Sequence, residues 1–237
     1  MFSADLDGKT LTFDVFGLRG SNFVMRDRQT ESQWQQATGE AFEGPLKGKL
    51  LTRVPFLLTT WGEWRAQHPE TLALVPEASR EDEYKLRIQR MTSLRASAGP
   101  ERKILRDDPR LPPHEQILGL EAGSVHKAYP LALLRKRAVV NDQVGSLPVL
   151  LIHSAAGDTT TAFSRLLKGR TLTFHPAKTG AGKLVDDETG STWTPYGQCV
   201  AGNWKGEQLD LLTPLPSFWF SWAEFYPETE IFSAAPK

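Results

Sequence analysis

The chain has 237 residues, with 28 Lys plus Arg against 28 Asp plus Glu. Zero net charge excludes a nucleic-acid binder that works by bulk charge and a basic membrane-surface protein. The single cysteine, Cys199, excludes an internal disulfide framework and a multi-cysteine zinc site. A content of 40% hydrophobic and 24% charged residues is that of an ordinary globular chain. No apolar run approaches the ~20 residues that cross a bilayer. The opening, MFSADLDGKT, has neither the basic start nor the apolar stretch of a signal peptide.

In chain order, Thr10-Leu11-Thr12-Phe13 falls in an alternating, β-prone segment and predicts a strand. Asp27, Thr30, Ser32 and Trp34 then predict a strand, a turn and a return strand. Asp and hydroxyl side chains in such a turn bond local backbone. Two readings of these four residues stand. One is a hairpin that needs them to turn. The other is a polar patch beside an aromatic wall, suited to a small polar ligand. Thr60-Trp61-Gly62-Glu63 fits a capping box opening a short helix toward Pro69. That spacing gives Glu63 a structural role rather than that of a general acid.

From Glu77 to Arg110 about half the residues are charged. Ser79 as cap, with Glu81, Asp82 and Glu83 in the first turn, predicts a solvated helix over residues 80–97. Tyr84, Ile88 and Met91 form its narrow apolar stripe. Gly99-Pro100 ends it, and a Pro-rich connector runs on through Pro112-Pro113. The interleaved acids weigh against nucleic-acid binding by its arginines.

Beyond the connector the chain repeats itself. Thr10-Leu11-Thr12-Phe13 recurs as Thr171-Leu172-Thr173-Phe174, at an offset of 161. Asp27, Thr30, Ser32 and Trp34 recur as Asp186, Thr189, Ser191 and Trp193, at 159. Gly44, Lys47 and Gly48 recur as Gly202, Lys205 and Gly206, at 158. Trp61 and Glu63 match Trp222 and Glu224 at 161, so Ser221-Trp222-Ala223-Glu224 is expected to be a second capping box. Pro69-Glu70-Thr71 recurs as Pro227-Glu228-Thr229, at 158.

The second copy extends further upstream than the first. Phe163 aligns with Phe2, and residues 128–162 have no counterpart before it. That stretch contains two expected strands, Pro148 to His153 and Thr159 to Phe163. A first copy without them would expose unpaired backbone and an apolar face. Three accounts stand: a fragment or misplaced start, strands supplied by a partner chain, or one sheet merged from both copies.

Other chemistry is thin. No two of His68, His114, His126, His153 and His175 share a helix at ligand spacing. His153, Ser154 and Asp158 suggest a triad, but neighbours on a strand point to opposite faces. Gly180-Ala181-Gly182-Lys183 lacks the spacing of a phosphate loop and reads as a hairpin loop. Asp186-Asp187-Glu188 has no calcium-loop spacing around it. Cys199 reads as a small packed residue.

The chain resembles a bacterial and archaeal family, the domain of unknown function 3179. The resemblance is carried by residues 11–15, 27–36, 44–48 and 108–113, by Ala128-Tyr129-Pro130-Leu131, and by Asn141-Asp142. Pro148-Val149 and Phe218-Trp219-Phe220-Ser221-Trp222 complete it. The family pattern has a Y-C-P-L-C segment, which here aligns with His153-Ser154-Ala155-Ala156-Gly157. Ser154 and Gly157 stand where cysteines would be, which removes thiol redox and thiolate–metal chemistry at that spot. In the first copy the equivalent pair would fall upstream of Met1. The resemblance brings no activity with it, and it admits an extracytoplasmic location without showing one.

These readings combine into a mainly β fold with short helices (α+β). Unit 1–76 lacks its N-terminal strands, 77–115 is a charged linker with a helix, and 116–237 is a complete second unit. The expected function is a non-catalytic module binding a small polar ligand. Its candidate site residues are Asp27, Thr30, Ser32 and Trp34, or Asp186, Thr189, Ser191 and Trp193. The alternatives are a redox or metal-dependent protein whose C-x-x-C lies in a missing N-terminal segment, and a degenerate inactive relative. No catalytic constellation, metal site, cofactor, nucleic-acid partner or membrane span is expected.

Overall fold

The computed structural model describes residues 1–19, 22–56, 59–75, 77–96, 108–155, 158–178, 180 and 182–233. The fold is mainly β with four helices among these residues. Near the N-terminus, Asp5–Leu6 pairs with Lys9–Thr10. The turn between them, Asp7-Gly8, has both φ angles positive, the geometry that suits the twist of a two-residue hairpin. Leu166–Leu167 and Arg170–Thr171 form a second such hairpin around Lys168-Gly169, again with both φ positive.

Each small hairpin leads into a four-stranded antiparallel sheet. The N-terminal sheet runs Phe13–Arg19, Asn22–Asp27, Gln33–Gln35, Ala41–Glu43. The C-terminal sheet runs Phe174–Pro176, Leu184–Asp186, Thr192–Trp193, Cys199–Ala201. The register breaks at corresponding places, between Gln33 and Trp34 in one sheet and between Thr192 and Trp193 in the other. Trp34 and Trp193 are fully buried, each edge-on to a phenylalanine, Phe13 at 5.8 Å and Phe174 at 5.7 Å.

The C-terminal sheet is covered on one side by a three-stranded sheet, Thr159–Ser164, Leu147–Ser154 and Val139–Val144. The two upstream strands expected from the sequence are both here. Leu150 and Ile152 pack with Phe163, Leu172, Phe174, Leu184 and Trp193 in one core. Opposite faces of the same strands send Val149 and Leu151 into a second core with Leu118, Tyr129 and Phe232. Both faces of the central strand are therefore buried, which is why its sequence reads Val-Leu-Leu-Ile without alternation. A further sheet orders Leu215–Phe218, Gln116–Ala122, Val125–Pro130 and Glu230–Ile231, the last strand parallel to its neighbour.

Trp61–Gln67 and Trp219–Phe225 are helices of equal length. Both end on a residue at φ −127°, ψ 69°, His68 in one and Tyr226 in the other. Trp64 Nε1 donates to Thr71 Oγ1 and Trp222 Nε1 to Thr229 Oγ1, both at 2.9 Å. The helices thus correspond at an offset of 158, not the 161 that Trp-x-Glu suggests. Thr60 caps the first helix, its side chain accepting from Glu63 N. The second expected capping box does not form. Its helix starts two residues before Ser221, which lies inside it, and the cap position is Phe218 with no side-chain bond.

The charged segment forms a short 3-10 turn, Ala78–Arg80, and then the helix Glu81–Ala96. Ser79 does not cap it; it sits inside the turn. Lys85 pairs with Glu81, and Arg80 with Glu83, across exposed turns. Of the expected apolar stripe, Tyr84 is half-buried and Ile88 is 65% exposed, and the Met91 side chain lies outside the described residues. Gly99-Pro100, Gly157 and Ala181 lie outside the described residues. Among the described residues no helix is long and apolar enough to cross a membrane.

The halves meet at a polar contact. Ser221 Oγ donates to Asn22 Oδ1, and Asn22 Nδ2 donates to Glu224 at 3.1 Å. Arg53 binds Glu121 at 2.7 Å, and Ser154 Oγ donates to Glu63 at 2.9 Å.

Candidate functional site

The Asp-Thr-Ser-Trp residues come together in each sheet. Asp27 accepts from Thr30 N at 2.6 Å, from Thr30 Oγ1 at 2.9 Å and from Trp34 Nε1 at 2.8 Å. Asp186 accepts from Thr189 N at 2.6 Å, Thr189 Oγ1 at 2.8 Å and Trp193 Nε1 at 2.8 Å. Thr30 and Ser32 hydroxyls lie 2.7 Å apart, as do those of Thr189 and Ser191. Because the threonine proton goes to the carboxylate, the serine donates to the threonine. The serine oxygen then accepts from the next loop, from Leu46 N or Trp204 N. The relay uses every hydroxyl proton. Asp27, Ser32, Trp34, Asp186, Ser191 and Trp193 are all 0% exposed.

Burial pushes the Asp27 carboxyl up, but hydrogen bonds from Trp34, Thr30 and the Ser32 amide outweigh it and hold it below the usual carboxylate range. The charge is thus kept inside the fold by donors that local sequence supplies. Gly44 and Gly202 complete the arrangement. They sit at φ +92° and +94°, and a Cβ at either would lie 2.7 Å from the Cα of Ser32 or Ser191. Only glycine lets the loop close that tightly on the serine.

At the position of the family cysteine pair, Ser154 bonds Glu63 rather than His153. His153 Nδ1 lies 3.1 Å from Thr160 Oγ1, and its Nε2 lies 3.8 Å from Asp158. Asp158 is held by Arg135 at 2.7 Å. Burial lowers the His153 pKa, and Asp158 opposes that shift. Serine and histidine on adjacent strand positions are not brought together as a nucleophile and base. Cys199 is buried and its thiol pushed up by burial, which disfavours the thiolate. Among the described residues no three His, Cys, Asp or Glu side chains gather as a metal site.

A cleft of about 530 Å³ opens on the outer face of the N-terminal sheet. Phe16, Arg19, Gln33, Phe42 and Lys47 line it, beside Leu18, Val24 and Glu43. The Arg19 guanidinium lies 4.3 Å from the Phe42 ring centre, and that of Arg26 4.8 Å from Phe16. Among the described residues Arg19, Arg26 and Lys47 have no carboxylate within ion-pairing distance. Gln35 is 5% exposed, and its Nε2 finds no partner among the described residues. It lies on the same strand face as Gln33 and pairs across to Val24, both of which line the cleft. In the sequence Lys47 stood out only as a repeat of Lys205, and Gln33 and Gln35 only as part of the segment 27–36; none was read as lining a site. The signal was there in the two aromatic-plus-arginine pairs, but only the hairpin register brings them to one face.

The architecture defines a mainly β protein with a saturated polar staple in each of two sheets and an open cationic, aromatic cleft on one of them. Residues 1–229 match the model of the family described as protein of unknown function (DUF3179), and the chain belongs to that family. Neither a curated protein nor a solved structure matches it significantly.

Proposed function

We propose that the protein is a non-catalytic binding module built of two related β-units, residues 1–76 and 116–237, joined by the charged segment 77–115. Its ligand-facing surface is the outer cleft of the N-terminal sheet. The ligand class is a small anion carrying a planar group, such as an aromatic carboxylate or phosphate ester. The carrying observation is the set of unpaired cations beside two aromatic rings, Arg19 and Lys47 with the exposed Phe16 and the half-buried Phe42. Anions pair with such cations, and planar groups stack on such rings. The unpartnered Gln35 amide nearby is a further donor. In this reading Asp27, Thr30, Ser32 and Trp34, with Asp186, Thr189, Ser191 and Trp193, support the strands rather than touch the ligand. Their hydrogen-bonding capacity is spent on one another.

The test is a titration followed by two-dimensional NMR, with benzoate, phenyl phosphate and inorganic phosphate as probes. Shifts confined to residues around Arg19, Phe42 and Lys47, and lost in Arg19→Gln with Lys47→Gln, are expected. No saturable shift with any probe, or the same shift in the double variant, overturns the reading.

A further inference from the structure

The inner face of the N-terminal sheet differs from that of its C-terminal counterpart in what covers it. In the C-terminal sheet, Phe174 and Leu184 are 2% and 1% exposed beneath Leu150 and Ile152. Asn141, from the same covering sheet, grips the Phe174 backbone. Its Nδ2 donates to Phe174 O at 2.7 Å, and its Oδ1 accepts from Phe174 N at 2.8 Å. In the N-terminal sheet the corresponding residues are Phe13 and Met25, both only partly buried. Beyond them on the same strand faces stand Val15, 75% exposed, and Phe23, 46% exposed.

The backbone repeats the contrast. Arg28 N donates to Thr12 O, as Asp187 N donates to Thr173 O. Ladder bonding alternates along an antiparallel pair, so at the next pair, Phe13 with Asp27, the Phe13 N–H and C=O point away from the partner strand. Among the described residues no side chain takes the place that Asn141 takes at Phe174. At the chain start, Ser3 N donates to Thr52 O and Val54 N to Met1 O, as Ser164 N donates to Asp210 O and Leu212 N to Ala162 O. Residues 1–3 thus lie as 162–164 do, with Phe2 bridged to Arg53 as Phe163 is to Leu211. Residues 162–164 pair on their other edge with the Leu147–Ser154 strand. Among the described residues nothing pairs with that edge of 1–3.

We propose that this face is an interaction surface for a polypeptide β-segment of the same build as Val139–Ser164. The partner pairs a strand with the free edge at Phe2. It lays a Leu/Ile-bearing face on Phe13, Val15, Phe23 and Met25, and it sets an asparagine on the Phe13 backbone. The occupant cannot be the chain's own Val139–Ser164 sheet, which is committed to Phe174. Nor is it a small molecule: the bare groups are a strand edge and an extended apolar sheet face, which another sheet satisfies together. The surface is opposite the outer cleft and does not depend on the ligand proposed there.

The test grafts a second copy of residues 116–162 ahead of Phe2 in the full chain, replacing Met1, and follows amide hydrogen exchange. At least tenfold slower exchange at Phe13 than in the unmodified chain is expected, with the gain lost when the grafted Asn141 is changed to Ala. Equal exchange at Phe13 with and without the graft overturns the proposal. A second arm needs no graft: Val15→Lys with Phe23→Lys in the unmodified chain. An unchanged melting temperature, with less binding of an apolar dye, is expected for a face open to solvent. Unfolding of this variant overturns the proposal, because the face would then be part of the chain's own core. Concentration-dependent self-association of the unmodified chain that the two lysines abolish also overturns it, in favour of a second copy as occupant.

Discussion

Trp64 and Trp222, 158 positions apart, each donate their indole N–H to the threonine seven residues on, Thr71 and Thr229, at the same 2.9 Å. The bond closes the helix back on the Pro-Glu-Thr segment that follows it. The two sites differ in depth: Trp222 is 1% exposed and Thr229 2%, whereas Trp64 and Thr71 are partly open to water.

Thr229→Val should therefore cost about 1–3 kcal/mol, because it strands a buried indole donor without water. Thr71→Val should cost less, about 0.5–1.5 kcal/mol, since solvent reaches its donor. Urea unfolding of each variant measures the difference. Equal costs would show that depth does not set the strength of this bond.

Asp27→Ala removes the shared acceptor of the Trp34 indole, the Thr30 amide and the Thr30 hydroxyl. With several donors left in a buried site, a loss of about 3 kcal/mol or more is expected. Asp186→Ala should behave alike, because its donors are the same in kind and distance. Chemical denaturation of both variants checks it, and a loss below about 1 kcal/mol at either would contradict the staple.

Gly202→Ala places a methyl group 2.6 Å from Ser191 Oγ and 2.7 Å from its Cα, at a φ of +94°. The backbone conformation alone disfavours an L-residue by about 1–2 kcal/mol, and the contact adds to it. Gly206→Ala has the same φ but nothing within 4 Å. Calorimetry should show Gly202→Ala as the more damaging of the pair, and the reverse order would refute the close approach.

Acid should weaken the fold in two stages. His153 is held neutral by burial, so its folded pKa lies below the unfolded value of about 6.5. The unfolded state then binds the extra proton first, and stability present above about pH 6.5 declines as pH falls toward the folded value. Asp27, also depressed, contributes stability above about pH 4 that is lost as pH falls further. Thermal melts from pH 8 to pH 3 follow both. His153→Gln should flatten the first stage and leave the second, and an unchanged first stage would assign it to another group.

Much of the architecture was legible because it is local. The apolar run Val149 to Ile152 gave a strand, whereas Thr10-Leu11-Thr12-Phe13 and its repeat, read as single strands, each turn out to join two, with Leu11-Thr12 and Leu172-Thr173 in neither. The acidic first turn at Glu81 gave the helix to within a residue. The Asp-x-x-Thr-x-Ser-x-Trp pattern could be read as a hairpin staple, since all its bonds but one fall within eight residues. The helix pairing was misread for a plain reason. Trp61-x-Glu63 matches Trp222-x-Glu224 letter for letter, but the structural equivalent of Trp222 is Trp64, as the shared helix ends at His68 and Tyr226 and the indole–threonine bonds reveal. Contacts such as Ser154 to Glu63 and Asn22 to Ser221 span 91 and 199 residues and leave no local trace. The outer cleft was hidden likewise: Arg19 and Phe42, 23 positions apart, form no pattern until the register sets one over the other.

Asn22, Ser221 and Glu224, with Arg53 to Glu121 and Glu63 to Ser154, tie the two halves without using the covalent chain between them. A protease nick within Glu81–Ala96 would then yield two fragments that co-elute as a noncovalent pair. Such a pair would mean that the intervening helix acts as a tether raising local concentration, and that side chains of the short helices and the strands they meet carry the recognition.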